Sequence, residues 1–563
     1  MKKQWILKKK ANEQLVVELQ ESLGVAKIVA ELLVQRGITT FETAKRFFRP
    51  DLIHLHDPFL MKNMYSAVAR LSTAIQQGEN ILVYGDYDVD GTTAVALMFS
   101  FIKSIHDKVE YYIPDRYSEG YGVSFQGVDY AANNQFSLII ALDCGIKAID
   151  KVDYARGKGI DFIICDHHLP GDSVPKATAV LDPKQSDCLY PYKELSGCGV
   201  GFKLIQAYCQ KSKIPFERII PYLDLLVVSI AADIVPITGE NRVLAHYGLQ
   251  QLNTNPRIGL KALMDVRDRD KLFTISDLVF GLAPRINAAG RIEHGTKAVE
   301  LMVQEDIEVA KVKAQEIHQY NLKRRALDQN ITEEALQMIV TDANSTVVFN
   351  PDWHKGVVGI VASRLIESHY RPTIVLTENN GKLAGSARSV KGFDVYNAID
   401  ACSEYVEQFG GHKYAAGLTL KKENLEAFTA KFESVVSENL QEDMLIPKVS
   451  IDAVLNLAEI DHKLYRILRQ MAPFGPGNMS PVFMSKQVVD RGYGRKIGQE
   501  KTHLKLSVTD VNQSQFLDCI GFGMADKFEL IKEGQQFDIA YVLEDNEWNG
   551  NINLQLRLKD IRN

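Results

Sequence analysis

Acidic side chains and histidines follow directly after apolar runs at four places in this sequence. These places are Asp86-Tyr87-Asp88-Val89-Asp90, Asp143-Cys144-Gly145, Asp166-His167-His168 and Asp233. Carboxylates that face one cleft repel one another and lose hydration, so such a set needs cations to neutralise it. Oxygen ligands with one imidazole suit Mn²⁺ or Mg²⁺ better than a structural zinc ion. Two such ions, roughly 3.5–4 Å apart, would generate a hydroxide and stabilise a leaving oxygen, so the pattern predicts hydrolysis of a phosphoester.

Short apolar runs that alternate with helical stretches surround these motifs. The runs are Ile81 to Tyr84, Val109 to Ile113, Leu138 to Leu142, Phe162 to Cys165 and Ala179 to Leu181. This alternation predicts a parallel sheet that is covered on both faces. Because ligands bind at the carboxyl ends of parallel strands, we expect the acidic motifs to converge there, with Asp233 reaching the same edge from a helix end. An isolated Asp-x-Asp loop is more often a turn or a helix cap, and an isolated His-His pair is more often a surface feature, so the prediction depends on the four motifs together.

The remaining segments divide into helical, mixed and strand-rich regions. Residues 1 to about 75 and 199 to about 300 have the spacing of helices, and a second α/β segment is predicted over about 345 to 440, with strands at Thr346 to Phe349 and Thr373 to Leu376. Apolar positions at intervals of 4, 3, 4 and 3 predict one long helix within 303–340. They are Val303, Ile307, Ala310, Ala314 and Ile317.

The C-terminal segment is predicted to form a small β-barrel. Ile552, Leu554, Leu556 and Leu558 alternate with polar residues after the turn signal Asn549-Gly550. An OB-fold is a common nucleic-acid-binding form of such a barrel. The patterns together predict an α/β protein of five parts. These are an N-terminal helical segment (1–75), a parallel-sheet catalytic domain (76–300), a connecting helix (301–340), a second α/β domain (341–445) and an OB-like β-barrel (446–563).

Composition and charge indicate the broad class of protein. With 563 residues, 46% of them hydrophobic and 24% charged, the chain can build several packed cores. Its seven cysteines contain no Cys-x-x-Cys pair, which argues against a disulfide framework or a zinc ribbon and favours a reducing cytoplasm. No run of about twenty apolar residues occurs, so no membrane association is predicted. The formal net charge of -6 argues against bulk coating of nucleic acid but not against a local basic groove.

The acidic motifs resemble, in order and spacing, those of the DHH phosphoesterase superfamily. The matching segments are Gly85-Asp86-Tyr87-Asp88-Val89-Asp90-Gly91, Asp143-Cys144-Gly145, Asp166-His167-His168 and Ala232-Asp233-Ile234-Val235-Pro236. Further segments are similar to the RecJ family of single-stranded-DNA-specific exonucleases, so that the resemblance covers nearly the whole chain. They are Ala283 to Arg291, Trp353 to Ile360, Gly385 to Ser389, Gly410 to His412 and Pro473 to Asn478. The resemblance implies a metal-dependent 5′→3′ exonuclease that releases 5′ mononucleotides from single-stranded DNA during DNA repair and recombination.

The resemblance also implies a set of metal ligands for two Mn²⁺ or Mg²⁺ ions. The core ligands would be Asp88, Asp90, Asp143, His167 and Asp233, with Asp143 as the bridge. His168 would face the scissile phosphate, and Asp166 would orient both histidines. Several relatives have a histidine ligand four residues before the first aspartate of the Asp-x-Asp pair, where this chain has Tyr84. We therefore expect either that Asp86 substitutes as a ligand or that one metal site binds more weakly.

A pocket for an anion is predicted in the segment Gly381 to Phe393. It carries three cations and no acid, on a backbone whose free N–H groups would cradle an anion, although an exposed basic loop is the plain alternative. The resemblance implies that Arg116, Ser386 and Arg388 hold a 5′ phosphate and so set the polarity of digestion. Other substrate-binding positions along the strand path would be Arg285, Asn287, Arg291, His354 and His412. For Arg291 and His354, a structural ion pair is an equally good interpretation.

The connecting helix and the C-terminal barrel favour a long single strand as substrate. The long helix would hold the two α/β domains at a fixed separation, so that a narrow cleft between them rejects duplex DNA. Tyr493, Phe516 and Trp548 are candidate stacking platforms in the barrel, although core packing is the commoner role of such aromatics. The resemblance implies a single-strand DNA-binding protein and a RecQ-type helicase as partners of a monomeric enzyme.

Two other functions stay open at this point. A phosphodiesterase for short oligonucleotides or cyclic dinucleotides would share the metal motifs, but such an enzyme needs neither the helical N-terminal segment nor the barrel. A binding scaffold without hydrolysis would be expected to have lost ligands, whereas all five core ligands are present.

Overall fold

The computed structural model describes residues 3–266, 271–510, 515–532, 534–548 and 551–563. Its strands are β1 (Gln4–Leu7), β2 (Ile81–Gly85), β3 (Val109–Tyr112), β4 (Leu138–Leu142), β5 (Asp161–Cys165), β6 (Ala179–Leu181), β7 (Thr346–Phe349), β8 (Thr373–Asn379), β9 (Lys382–Arg388), β10 (Val406–His412), β11 (Ala415–Leu420), β12 (Lys448–Ile451), β13 (Ala453–Val454), β14 (Phe483–Asp490), β15 (Arg495–Ile497), β16 (His503–Thr509), β17 (Leu517–Gly521), β18 (Phe537–Trp548) and β19 (Asn551–Arg562).

Helices lie between many of these strands along the chain. They are α1 (Glu13–Leu23), α2 (Lys27–Val34), α3 (Phe41–Phe48), α4 (Met64–Gln77), α5 (Val89–Lys103), α6 (Phe125–Asn133), α7 (Ile149–Gly157), α8 (Gly197–Ser212), α9 (Leu223–Ala232), α10 (Gly239–Thr254), α11 (Ile258–Asp265), α12 (Ile275–Asp277), α13 (Ala283–Ile292), α14 (Thr296–Met302), α15 (Ile307–Gln337), α16 (Val358–Ser368), α17 (Val395–Asp400), α18 (Leu425–Asn439) and α19 (His462–Gln470). A π-helical turn, Leu278–Leu282, directly precedes α13.

The chain forms two compact units. The parallel-sheet unit comprises residues 50–326 and 473–479, and the mixed-sheet unit comprises residues 1–49, 327–472 and 480–563. Among the described residues, no helix is both long and apolar enough to cross a membrane.

A parallel sheet of order β3-β2-β4-β5-β6 lies at the centre of the parallel-sheet unit. Successive side chains of β2 point to opposite faces, so that Ile81 and Val83 pack in one apolar layer while Leu82 and Tyr84 pack in the other. Burial on both faces explains why these strands are continuous apolar runs, and it confirms the predicted parallel sheet. The strand order reverses between β2 and β4, which is where a doubly wound sheet opens a crevice for ligands.

Two larger sheets and the short β1–β12 pair lie in the described part of the mixed-sheet unit. In the first, of order β10-β11-β9-β8-β7, β7 and β8 are parallel and the other neighbours are antiparallel. In the second, of order β13-β14-β18-β19-β17-β16-β15, an additional β14–β16 pairing closes the sheet. This closure confirms the predicted C-terminal barrel, while the turn signal Asn549-Gly550 lies outside the described residues.

Two local predictions differ from the structure. The N-terminal segment was expected to be helical, and its helices are preceded by a strand, β1, which pairs in parallel with β12. A four-residue strand is too short to show a periodic pattern, so its partner decides its conformation. The long helix begins at Ile307 rather than near Val303, because the Asp306 carboxylate accepts hydrogen bonds from the Glu308 and Val309 N–H groups at 2.8 and 3.0 Å and so caps it.

Candidate active site

The loop after β2 brings three carboxylates to the carboxyl edge of the parallel sheet. Asp86 is fully buried. Asp88 caps α5, since the Gly91 N–H donates to Asp88 Oδ1 at 3.0 Å. Asp90 lies in the first turn of α5 and is also buried. The turn is tight enough that a Cβ at Gly91 would lie 2.5 Å from the Asp86 carbonyl oxygen, so the packing requires glycine there.

His167 lies at the centre of the carboxylate cluster. Its Nε2 is 3.2 Å from Asp143 Oδ1, 3.5 Å from Asp233 Oδ2 and 3.9 Å from Asp90 Oδ2. The ligand-type atoms of Asp143, His167 and His168 lie within 4.8 Å of one another, and the same holds for Asp90, His167 and Asp233. Two ligand sets that share one imidazole therefore lie side by side at this edge.

Asp143 enters the cluster through an unusual backbone conformation. Its φ is 59°, in the left-handed region that non-glycine residues rarely adopt. The residue follows β4 directly, and its N–H donates to the Cys165 carbonyl at 2.9 Å. Strain of this kind, on the order of 1–3 kcal/mol, is typical of functional residues that the surrounding fold holds in place.

Several buried polar atoms of the cluster fit a divalent cation. Among the described residues, no hydrogen-bond partner satisfies Asp86 Oδ2, Asp143 Oδ1 or either ring nitrogen of His167. Buried polar atoms are normally paired, so unpaired lone pairs that converge from several elements are suited to an ion. The donor set of carboxylate oxygens with one imidazole suits Mn²⁺ or Mg²⁺.

The raised pKa values of the clustered carboxylates also indicate a cation-binding site. Burial raises the pKa of Asp143 well above its usual range, and the charges of Asp90, Asp88 and Asp233 raise it further. Burial also raises the pKa of Asp86, Asp88 and Asp233, and a neighbouring carboxylate adds to each increase. Carboxylates in such surroundings are stable as anions only when positive charge joins them.

Asp166 orients one of the two adjacent histidine rings. Its Oδ1 accepts a hydrogen bond from His168 Nδ1 at 2.8 Å, while His167 contacts it only through its backbone N–H, at 2.7 Å. The prediction that Asp166 orients both histidines therefore needs correction, because neither ring nitrogen of His167 reaches that carboxylate. Burial tends to raise the pKa of Asp166, but the His168 hydrogen bond and charge and the Ile146 and His168 N–H groups outweigh it and lower the pKa to about 2.

His168 is the more exposed histidine of the pair. Burial tends to lower its pKa, but the hydrogen bond and charge of Asp166 dominate and raise the pKa to about 9. The hydroxyl of Tyr121 lies 3.3 Å from His168 Nε2. The half-buried His168 ring, whose side chain is 42% accessible, is thus fixed at one nitrogen and faces a tyrosine with the other.

Tyr84 belongs to the core and not to the ligand cluster. Its hydroxyl donates to the Gly122 carbonyl at 3.0 Å and accepts from the Ser124 N–H at 3.1 Å, and its ring stacks on Tyr112 at 5.3 Å. The β-strand alternation turns this side chain toward the α6–α7 layer, two residues before Asp86 reaches the edge.

Two groups near the cluster were missed by sequence reasoning. Ser229 donates to Asp90 Oδ1 at 2.7 Å, and its position four residues before Asp233 would have placed both on one helix face. Asp182 follows the edge strand β6, as the other acidic residues follow their strands. Its Oδ1 accepts from the Lys184 N–H at 2.7 Å, and burial raises its pKa to about 7.

Arg116 and helix α13, which carries the other predicted substrate residues of the parallel-sheet unit, contact Tyr87. The Arg116 guanidinium is 4.6 Å from the centroid of the Tyr87 ring, and a Cβ at Gly290 would lie 2.8 Å from the Tyr87 carbonyl oxygen. The Tyr117 hydroxyl donates to the Arg291 carbonyl. Helix α13, which also carries Arg285 and the half-buried Asn287, is thereby packed against the loop that carries Asp86 and Asp88.

Ser386 and Arg388 lie on β9 in the mixed-sheet unit. Arg388 Nη1 donates to Ser386 Oγ and to the Ala387 carbonyl, both at 2.8 Å, and burial lowers the pKa of Arg388. A Cβ at Gly359, in the first turn of α16, would lie 3.0 Å from both Arg388 Nη2 and Ser386 Oγ. The two side chains therefore face the N-terminal end of a helix, which favours anions.

The source of the N–H groups in this pocket differs from the prediction. The segment 382–388 is a strand paired with β8 on one side and β11 on the other, so its backbone N–H groups are used within the sheet. His354 and His412 lie in the same unit, and their Nδ1 atoms accept from the Gly356 and Tyr414 N–H groups at 3.1 and 3.4 Å.

Three family models match successive parts of the chain. They are the DHH family N-terminal domain over residues 80–230, the DHHA1 domain over residues 337–438 and the RecJ OB domain over residues 451–560. The carboxylate cluster at the sheet edge falls within the DHH match or just beyond its end, and the closed barrel falls within the OB match.

Individual relatives show which family the whole chain belongs to. The single-stranded-DNA-specific exonuclease RecJ of Bacillus subtilis is 39% identical over 551 residues, which covers 97% of this chain and 69% of the relative. A crystal structure of RecJ in complex with Mn²⁺ from Thermus thermophilus superposes with a TM-score of 0.85 at 26% identity, over 100% of this chain and 79% of that chain. A second structure from the same organism, with Mg²⁺, gives a TM-score of 0.79 at 25% identity, over 100% and 78%. The chain belongs to the RecJ family.

Proposed function

We propose that this protein is a metal-dependent exonuclease specific for single-stranded DNA, which degrades the strand 5′→3′ to 5′ mononucleotides in DNA repair and recombination. The observation that carries the proposal is the convergence of Asp90, Asp143, His167 and Asp233 on one point, at the carboxyl edge of a DHH-type sheet. Family membership supports the single-stranded DNA substrate, since the relative from Bacillus subtilis carries that specificity in its name.

The proposed metal ligands are Asp88, Asp90, Asp143, His167 and Asp233, with Asp86 as a further candidate. When bound, two Mn²⁺ or Mg²⁺ ions would supply a hydroxide at neutral pH and neutralise charge on the phosphate. By resemblance to the family, Asp143 would be the ligand shared by both ions; its Oδ1 lies 3.2 Å from Nε2 of His167, the residue that the two ligand sets have in common. The cluster's unpaired lone pairs and its mutually raised carboxylate pKa values support this assignment.

His168 is proposed to contact the scissile phosphate. Its side chain is the more accessible of the pair, and Asp166 fixes the ring at Nδ1. The other nitrogen, Nε2, lies 3.3 Å from the Tyr121 hydroxyl and is the atom available to a phosphate oxygen beside that tyrosine. The hydrogen bond and charge of Asp166 raise the pKa of His168 and so favour the protonated ring, which would attract a phosphate oxygen. Asp166 acts as a positioning residue in this scheme because its contacts reach only the protein.

In the mixed-sheet unit, Ser386 and Arg388 are proposed to bind the 5′ phosphate, and in the parallel-sheet unit Arg116 is proposed as a further phosphate contact. The buried guanidinium beside a serine hydroxyl, at the N-terminal end of α16, is suited to an anion. Along the strand path we propose Arg285, Asn287, Arg291, His354 and His412 as further contacts. For the barrel, the exposed rings of Tyr493 and Phe516 support a stacking role.

Family membership also supports a proposal for the oligomeric state, the location and the partners of the enzyme. We infer that the enzyme acts as a monomer in the cytoplasm, on 5′ tails exposed by a RecQ-type helicase and in company with a single-strand DNA-binding protein. We also propose the five-part division into residues 1–75, 76–300, 301–340, 341–445 and 446–563.

The direct test is a digestion assay with Mn²⁺ or EDTA. The substrates are 5′-phosphorylated single-stranded DNA labelled at either end, blunt duplex DNA and a dinucleotide, and Asp143→Ala serves as the inactive control. We expect Mn²⁺-dependent release of mononucleotides from the 5′ end of the single strand only. Cleavage of the dinucleotide alone would indicate a small-substrate phosphodiesterase, and strand binding without cleavage would indicate a scaffold.

A further inference from the structure

The carboxylate of Asp90 is enclosed by donors from two other helices. Its Oδ2 accepts from the Gly197 N–H at 2.7 Å, and its Oδ1 accepts from the Cys198 N–H at 2.9 Å. Both N–H groups belong to the first turn of α8, whose positive end stabilises an anion. The third donor is Ser229 on α9, at 2.7 Å from Oδ1.

The Ser229 hydroxyl is itself held by a second serine. Ser196 Oγ lies 2.6 Å from Ser229 Oγ, and both residues are fully buried. A carboxylate can only accept, so the one proton of Ser229 goes to Asp90, and Ser196 must donate in the contact between the two hydroxyls. Ser196 in turn accepts from the Gly199 N–H at 3.1 Å as the N-cap of α8.

These contacts form one directional chain from the α8 backbone to Asp90. Each donor is polarised by the group behind it, because an N–H bond strengthens the Ser196 hydroxyl as a donor and Ser196 strengthens Ser229. The chain also links two ligand-bearing elements, since the Ser229 carbonyl accepts from the Asp233 N–H at 2.9 Å. A shift of Ser229 would therefore disturb Asp90 through its side chain and Asp233 through the backbone.

We propose that Ser229, supported by Ser196, is a positioning residue that sets the orientation of Asp90 for metal binding. This inference rests on the metal site proposed above. The hydroxyl is a donor in the second layer around the ligands, where loss of a single hydrogen bond typically weakens metal affinity by about 10–100-fold. The remaining donors, Gly197 and Cys198, keep the carboxylate buried but leave its rotation about the Cβ–Cγ bond less restrained.

The test is the affinity of the full-length protein for Mn²⁺, measured by calorimetry and by the electron paramagnetic resonance signal of free Mn²⁺. Ser229→Ala removes the donor, and Ser229→Cys keeps a γ atom at this position but supplies only a weak donor. A matched control is Ser485→Ala in the mixed-sheet unit, where another buried serine donates to the Leu455 carbonyl at 2.6 Å. Circular dichroism and the unfolding midpoint in EDTA report the fold of each variant.

We expect both Ser229 variants to bind Mn²⁺ about 10–100-fold more weakly, with the control unchanged. The Mn²⁺ concentration that gives half-maximal nuclease activity should rise in parallel, with activity largely recovered at saturation. Wild-type affinity in a folded Ser229→Ala or Ser229→Cys protein would overturn the inference and leave the proposed function standing. If the wild-type protein itself binds no Mn²⁺, both the proposed metal site and the positioning role of Ser229 are wrong.

Discussion

His167 Nε2 and Asp143 Oδ1 lie 3.2 Å apart, yet neither atom has a hydrogen-bond partner among the described residues. Buried polar atoms are normally paired, so unpaired atoms this close together are suited to binding a shared cation. Asp233 Oδ2 lies 3.5 Å from the same nitrogen and adds a further carboxylate oxygen to the group. The pair is therefore the most direct structural sign of an ion-binding site in this protein, and several predictions depend on it.

Mn²⁺ should stabilise the folded protein, and EDTA should reverse the effect. A ligand that binds only the native state adds about 2.7 kcal/mol to the free energy of unfolding at 100 times its dissociation constant. Asp143→Asn should abolish this gain, because it removes a buried anionic ligand. Scanning calorimetry with and without Mn²⁺ measures the effect, and equal stabilisation of the wild-type protein and the variant would place the ion elsewhere.

Asp166→Asn should separate catalysis from metal binding. The carboxylate holds the His168 ring but makes no contact with the His167 ring nitrogens. We therefore expect nuclease activity to fall by about 10–100-fold while Mn²⁺ affinity stays close to that of the wild-type protein. Calorimetry and steady-state kinetics on the same preparation check this, and a parallel loss of affinity would show that Asp166 acts through His167 instead.

Gly197→Ala should damage the site by steric displacement of Asp143. The added Cβ would lie 2.5 Å from Asp143 Cβ and 2.6 Å from both its Cα and Oδ1, distances that require something to move. We expect Mn²⁺ affinity to fall by at least about tenfold. The matched control is Gly199→Ala in the same helix, where the nearest atoms are at 3.4 Å. Equal Mn²⁺ affinities in the two variants would contradict the steric argument.

Asp182→Asn should stabilise the protein more at pH 8 than at pH 5. Burial, with the charge of Asp166, raises the pKa of Asp182 to about 7, and Lys184 and His168 only partly offset this. The unfolded chain has a lower aspartate pKa, so wild-type stability falls as pH rises toward 7, and the penalty is complete above it. Asparagine does not titrate. Over this pH range the variant should gain about 1–3 kcal/mol relative to the wild-type protein in denaturant titrations. A pH-independent difference would mean that Asp182 has an ordinary pKa.

Arg388→Ala should reduce the preference for a 5′ phosphate over a 5′ hydroxyl. A hydrogen bond to a charged group contributes about 1.5–3 kcal/mol, so the ratio of kcat/KM values for the two ends should fall by about 10–100-fold. Lys382→Ala is a control on the same strand, since Lys382 Nζ pairs with Glu407 at 2.8 Å at the surface. An unchanged ratio in Arg388→Ala would remove this residue from the phosphate pocket.

The sequence by itself determined the parallel sheet and the edge at which the acidic residues gather. Runs such as Leu138 to Leu142 are apolar throughout because both faces of the sheet are buried, and that pattern can be read without a structure. Asp143 and Asp166 could be placed for the same reason, since each directly follows such a strand.

Only the tertiary structure decided the contacts within the site. Ser229 and Asp90 are far apart in the chain and meet because α5, α8 and α9 pack on one face of the sheet. Asp166 has two histidines beside it in sequence but holds the ring of one, because ring direction depends on side-chain rotamers and neighbours that have no periodic signature. Local patterns determine which face or edge a residue occupies, whereas long-range packing determines which atoms meet there.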